Sequence, residues 1–171
     1  GCLSPLVPVV CLAHQVAVSG TRVLFTLSAS ALLPTALKVL DGSGLERLIV
    51  GSIAGALPSA KSILYRLFKR AEVTPRPHDP RVIAFSHLIA NDGRYTPATI
   101  DPERDVALIQ YTGGTTCVPK GAALTHQNLS ANARQVMGID PHPGPPDRTL
   151  GVLPLFHVFA NTCVLNRTVL N

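Results

Sequence analysis

The sequence predicts an α/β fold, a parallel sheet with helical crossovers, and three observations carry that prediction. Strand-like apolar runs alternate with segments of helical period at short intervals, the pattern of strands joined by helical crossovers. Two of those runs, Leu48-Ile49-Val50 and Val106-Ala107-Leu108-Ile109, are continuously apolar, as strands covered on both faces are. The chain has 171 residues and is 46% hydrophobic, one domain's worth with material for a single sizeable core.

Taken in order, Val7-Pro8-Val9-Val10 reads as a short strand, with Pro8 favouring an edge. Leu12 to Val18 reads as a helix closing at Gly20, a residue suited to the left-handed position past a helix end. Arg22 to Thr26 is the next strand. Ser30 to Leu40 is helical, with Pro34 near its first turn, where proline is tolerated. Asp41-Gly42-Ser43-Gly44 turns the chain into a strand over Leu45 to Val50. Ser59 to Arg70 is the best-formed helix: Ala60, Ile63, Leu64, Leu67 and Phe68 follow helical spacing, and Lys61, Arg66, Lys69 and Arg70 lie off that stripe with no acid among them. Two readings stay open for it, an ordinary surface helix and a helix lying on anionic lipid headgroups. Thr74 to Pro80, with three prolines, is a stiff connector. Phe85 to Ile89 reads as a short helix, Asn91-Asp92-Gly93 as a turn, and Asp101 to Asp105 as the lead into a buried strand ending at Tyr111. Beyond it, Ala122-Ala123-Leu124 is expected to pair back as a strand, and Thr125 to cap a helix running to Met137. Asn128 stands where a capping box has Glu or Gln, so the box is expected to be incomplete. His126 in that first turn has either a structural role or a functional one. Pro141 to Pro146 breaks the helix, and Arg148 to Leu153 is the last strand, ended by Pro154.

Composition narrows the function classes. Charged residues make up only 15%, low for a fully solvated surface, so part of the surface is expected to face segments outside this chain. Gly1 is not an initiator methionine and the chain stops inside an apolar pattern, which reads as a piece of a longer protein. The net charge of +5 suits ATP, coenzyme A or an anionic membrane face. Nucleic acid is not expected as a partner, because the five Phe and three Tyr do not interleave with a basic run. The cysteines at 2, 11, 117 and 163 have no metal-ligand or disulfide spacing, which points to a reducing cytoplasm. No apolar run approaches the roughly 20 residues of a membrane helix, and Leu6 to Ala13 lacks the flanks of a signal peptide.

The chemistry concentrates in Tyr111-Thr112-Gly113-Gly114-Thr115-Thr116-Cys117-Val118-Pro119-Lys120-Gly121. Adjacent glycines can turn successive backbone N–H groups to one side as an anion nest. The threonine hydroxyls add donors, and Lys120 adds a mobile charge able to follow a phosphate. A polar hairpin loop is the alternative. Pro119 before Lys120 and Gly121 after it exclude a Walker A loop.

Tyr111 to Gly121, followed by Ala122-Ala123-Leu124-Thr125-His126-Gln127-Asn128-Leu129, resembles the phosphate-loop signature of the adenylate-forming enzymes, in the wording of their long-chain fatty-acid–CoA ligase branch. Leu153-Pro154-Leu155-Phe156-His157-Val158-Phe159-Ala160 is similar to the next motif of that family, and Ile100 to Asp105 and Ser19 to Leu24 are similar to weaker ones. The resemblance implies that residues 1–171 are part of the large N-terminal AMP-binding domain, without the C-terminal domain. It implies ATP, Mg²⁺ and coenzyme A as cofactor and co-substrates, a fatty acid as the acid activated, and the remainder of the enzyme chain as a partner. The location implied is cytoplasmic, with the 59–70 helix offering contact with the inner face of a membrane.

By the same resemblance Tyr111, Thr112, Gly113, Gly114, Thr115, Thr116, Lys120 and Gly121 bind nucleotide. The 113–116 stretch holds the β- and γ-phosphates, Thr112 ligates Mg²⁺, and Lys120 balances charge on the leaving pyrophosphate. His157 positions substrate near the acyl entrance; the other reading is an aromatic cluster around a buried histidine. Two departures from the family qualify this. Cys117 replaces a glycine, and strain of order 1–2 kcal/mol is expected if the position needs φ > 0; its thiol is also expected to be acidified by nearby N–H groups and Lys120. The family's later acidic metal ligand, ribose-binding aspartate and C-terminal catalytic lysine have no counterpart here, so weak nucleotide binding and little turnover are expected of this chain alone. An adenylating enzyme for another acid and a non-catalytic nucleotide- or lipid-binding module are the alternatives.

Overall fold

The computed structural model describes residues 7–112, 120–139, 148–155 and 157–170. They fall into two compact units, one over residues 7–96 and one from residue 97 onward, where the sequence suggested a single core.

The first unit is a three-stranded parallel sheet, β1 (Val23–Leu27), β2 (Arg47–Gly51) and β3 (Val82–Ala84), in that spatial order. Phe25 pairs with Ile49, and Ile49 with Ile83. The expected Leu48-Ile49-Val50 run is the buried centre of the middle strand. Helix α1 (Val9–Ser19) packs on α2 (Leu33–Gly42), and α2 covers β1 and β2. The core of this unit is Leu12, Val16, Leu33, Ala36, Val39, Leu40, Leu45, Leu48, Ile49, Val50, Ala54 and Val82.

Helix α1 replaces the strand expected at Val7 to Val10, because Pro8 serves as its N-cap and the Leu12/Val16 spacing buries one helical face. It ends as expected at Gly20, at φ 63°, where the Gly20 and Thr21 amides donate to Ala17 and Val16 carbonyls at 3.3 and 3.1 Å. Helix α2 starts at Leu33, and Pro34 sits in its first turn, needing no amide hydrogen bond there. Strand β3 was not expected; three residues are too few to show a period. It is docked through the rigid connector before it, where Arg81 bridges Asp79 at 2.8 Å and Asp41 at 2.6 Å, and Arg76 donates to the Val82 carbonyl at 2.8 Å. Helix α3 (Ser59–Phe68) forms where predicted, and the chain continues through a 3-10 turn at Arg70–Glu72. Helix α4 (Phe85–Ile89) sets Phe85 edge-on to Phe25, with ring centres 6.4 Å apart.

The second unit holds an antiparallel hairpin, β4 (Val106–Thr112) and β5 (Lys120–Thr125), then α5 (His126–Gly138). A second helical rod follows, with α6 (Val158–Ala160), a π-helical turn at Asn161–Asn166 and α7 (Arg167–Leu170) in succession. Strand β4 is half exposed rather than buried, with Val106 open to solvent. The capping box on α5 is complete: Thr125 Oγ1 accepts from the Asn128 amide at 3.2 Å, and Asn128 Oδ1 accepts from the Thr125 amide at 3.0 Å. An asparagine carboxamide makes the return bond of a glutamate. Residues 148–153 form no strand. No neighbouring strand among the described residues offers them a ladder, and Leu150 and Val152 are exposed. The proline-rich break at 141–146 lies outside the described residues.

Candidate functional site

The hairpin is built from its base. Asp101 and Asp105 close the entry turn: the Asp105 amide donates to the Asp101 carbonyl at 2.8 Å, and the Asp101 amide to Asp105 Oδ2 at 2.8 Å. The chain enters β4 over a register shift between Val106 and Leu108. The Gln127 amide donates to the Pro102 carbonyl at 2.7 Å, tying the start of α5 to that turn.

From Leu108 to Thr112 the ladder is regular. Tyr111 lies directly across from Gly121, and Thr112 across from Lys120. Four of the predicted site residues are thus brought together at the mouth of the hairpin, on the two strands that enter and leave the Gly/Thr loop. The register sets the lysine's backbone at the exit of the Gly/Thr stretch across from the threonine's at its entrance. The predicted residues Gly113, Gly114, Thr115 and Thr116, together with Cys117, lie outside the described residues.

Gly121 has a packing reason for its identity. A Cβ there would stand 2.8 Å from Ile109 Cγ2 and 3.1 Å from Tyr111 Cε1. The tyrosine ring therefore lies against its cross-strand glycine. This was not legible in the sequence, because it depends on a register that only the pairing sets.

His157 is exposed and caps α6: its Nδ1 accepts from the Phe159 amide at 3.3 Å, which leaves Nε2 to carry the proton. Its carbonyl accepts from the Asn161 amide at 3.0 Å. The buried aromatic cluster considered from sequence is not what forms around it, since Phe159 is exposed as well, and Phe156 lies outside the described residues. Lys120 and His157 belong to the same compact unit on separate elements.

A cavity of about 400 Å³ opens between α5 and the second helical rod, within the size range of small-molecule sites. His126, Leu129, Ser130 and Ala133 line one side, and Leu165, Asn166, Val169 and Leu170 the other. The lining is mainly apolar, with His126, Ser130 and Asn166 as its polar positions. Asn166 Nδ2 also donates to Asn161 Oδ1 at 3.0 Å, five residues back along the π turn. This cavity was not legible in the sequence. Its signal was the spacing of 126, 129, 130 and 133 on one helical face, which carries meaning only once the opposite wall is known. Among the described residues no group of three or more His, Cys, Asp or Glu side chains could hold a metal. No helix among them is long and apolar enough to cross a membrane.

The sequence pattern of the AMP-binding enzymes matches residues 2–171. A long-chain-fatty-acid–CoA ligase of Bacillus subtilis (strain 168) is 34% identical over 163 residues, covering 92% of this chain and 29% of the relative. A ligase of the same name from Escherichia coli O157:H7 is 37% identical, over 90% of this chain and 28% of its own length. Among solved structures, a red-emitting luciferase from Phrixothrix hirtus superposes with a TM-score of 0.64 at 19% identity, over 98% of this chain and 28% of the luciferase. The chain thus spans under a third of the length of these relatives.

Proposed function

The chain belongs to the AMP-binding enzyme family, and from that premise we propose that it is part of the large N-terminal domain of a long-chain fatty-acid–CoA ligase. The reaction joins a fatty-acid carboxylate to the α-phosphorus of ATP with loss of pyrophosphate; the thiol of coenzyme A then takes the acyl group from the acyl-adenylate and releases AMP. The observation that carries the reading is the Thr112–Lys120 pair across the mouth of the Gly/Thr loop. It supports a site where an ammonium meets the polyphosphate as charge develops on the leaving group. Such transfer depends mainly on positioning and charge neutralisation.

Within this reading Gly113, Gly114, Thr115 and Thr116 bind the β- and γ-phosphates, with Tyr111 and Gly121 bracing the strands that present them. Thr112 fits a Mg²⁺ role as an oxygen donor beside phosphate oxygens, the ligands that ion prefers. Mg²⁺ would supply neutralisation of phosphate charge. His157, with Nδ1 engaged by the backbone, offers Nε2–H as a hydrogen-bond donor and positions substrate. The mainly apolar cavity between α5 and the second rod supports an acyl chain as the substrate's tail. Fatty acid, ATP, coenzyme A and the remainder of the enzyme are the partners, and the cytoplasm the location.

In the full-length enzyme, exchange of labelled pyrophosphate into ATP should depend on added acid and be strongest with long chains from octanoate to stearate. Lys120→Ala should lower that exchange by an order of magnitude or more. A rate near wild type removes Lys120 from the mechanism. Exchange only with other acids points to a different adenylating enzyme, and silence to a non-catalytic module.

A further inference from the structure

The cavity between α5 and the second helical rod is apolar except at His126, Ser130 and Asn166, and the chemistry of those three is complementary to one kind of group. His126 and Ser130 stand four residues apart on one face of α5, both half-buried, with Asn166 on the opposite wall. The Ser130 hydroxyl donates to the Gln127 carbonyl at 3.2 Å, so its oxygen is left with lone pairs to offer. Asn166 Nδ2 donates to Asn161 Oδ1 at 3.0 Å, and Asn166 Oδ1 remains an acceptor. The His126 ring carries an N–H in either tautomer and has no hydrogen-bond partner among the described residues. No acid, lysine or arginine is among the described lining residues, so neither an ammonium nor a carboxylate finds a counter-charge there. Acceptors on two walls and a donor between apolar side chains match an alcohol. Its hydrogen goes to the serine or asparagine oxygen, and its own oxygen accepts from the imidazole. A bare alkyl chain would strip water from these groups and replace none of its hydrogen bonds.

We propose that this cavity takes the hydroxyl-bearing part of a hydroxylated acyl chain, with His126, Ser130 and Asn166 as the residues that set the preference. The inference rests on the ligase reading and narrows its substrate class to long-chain hydroxy acids. Strand β5, six residues long, separates Lys120 at the loop from His126, a span of about 20 Å at about 3.4 Å per residue. The preferred hydroxyl therefore lies far along the chain from the carboxyl that reacts with ATP. A site that hydrogen-bonds a substrate hydroxyl discriminates against the analogue lacking it more sharply than an apolar pocket discriminates by size.

The test uses the full-length enzyme with stearate and with stearates hydroxylated at the α carbon, in mid-chain or at the ω carbon. Two quantities are measured, pyrophosphate exchange and, without ATP, equilibrium binding by calorimetry. The mid-chain or the ω-hydroxy acid should bind about tenfold more tightly than stearate, the worth of an added hydrogen bond in a desolvated site. Its kcat/KM in exchange should rise by a similar factor, and the α-hydroxy acid should show no such gain. Ser130→Ala and His126→Phe should each weaken binding of the hydroxy acid by about tenfold and strengthen that of stearate. Ser130→Thr, which restores a hydroxyl, should keep the parent preference. A merely structural role would weaken both acids together and lower the thermal midpoint, and that result overturns the inference. Equal affinity for stearate and its mid-chain and ω-hydroxy forms overturns it too, as does a preference that survives both variants. Either of these leaves the ligase reading standing wherever stearate supports exchange. Exchange with no acid removes the ligase reading and this inference with it.

Discussion

At Gly121 the space for a side chain is already taken by Ile109 and the Tyr111 ring. Ile109 Cγ2 sits on a stiff β-branched side chain, so relief must come from the strand itself. Gly121→Ala should therefore lower stability by about 1–3 kcal/mol, read as a lower denaturant midpoint. A second residue-level device is Arg81, whose guanidinium binds Asp79 and Asp41. Its hydrogen bonds hold the Asp79 carboxyl below the usual aspartate range and raise Arg81 further. A carboxyl depressed in the folded state lends stability that is full above its unfolded pKa, near 4, and is lost as pH falls through the folded value. Asp79→Asn should accordingly lower stability at neutral pH and converge with the parent protein as pH falls below about 4, flattening the acid limb, measured by chemical denaturation across pH. Lys120 stood out in the sequence because its chemistry is written in its neighbours; the Asp79–Arg81–Asp41 clamp did not, because Asp41 is distant in the chain and meets Arg81 only through the fold.

Among elements, those with strong local signals formed where expected, and those that depend on a partner did not. Helices α1, α2, α3 and α5 carry their own periods, with Gly20 ending α1 and Thr125 capping α5, and their existence was legible. Strand β3 and the stretch at 148–153 show the limit. A three-residue strand exists because β2 offers it a ladder, and an apolar stretch remains irregular where the described residues offer none. The α5 cap shows a smaller one: the short Asn128 side chain still closes the box. Thr125→Ala and Asn128→Ala should each cost about 1 kcal/mol. The double variant should cost less than their sum, because both belong to one reciprocal unit; additive losses in thermal or denaturant unfolding would contradict that coupling.

For the whole molecule, the parallel sheet with helical crossovers was readable from the alternation of runs, while the division into two units was not. Composition averages over the chain and cannot say where contacts thin out. The candidate site was readable as wording, a loop followed by Lys120 and Gly121, and the structure adds the register that sets Lys120 across from Thr112. That pairing has a thermodynamic consequence. The closure entropy of the 113–119 segment is met once, when the hairpin folds, and is not charged again to each ligand that arrives. Under the proposed function, a polyphosphate bound there carries no closure cost of its own, so its affinity is expected to rest on the contacts made by the segment and by Lys120 at its exit.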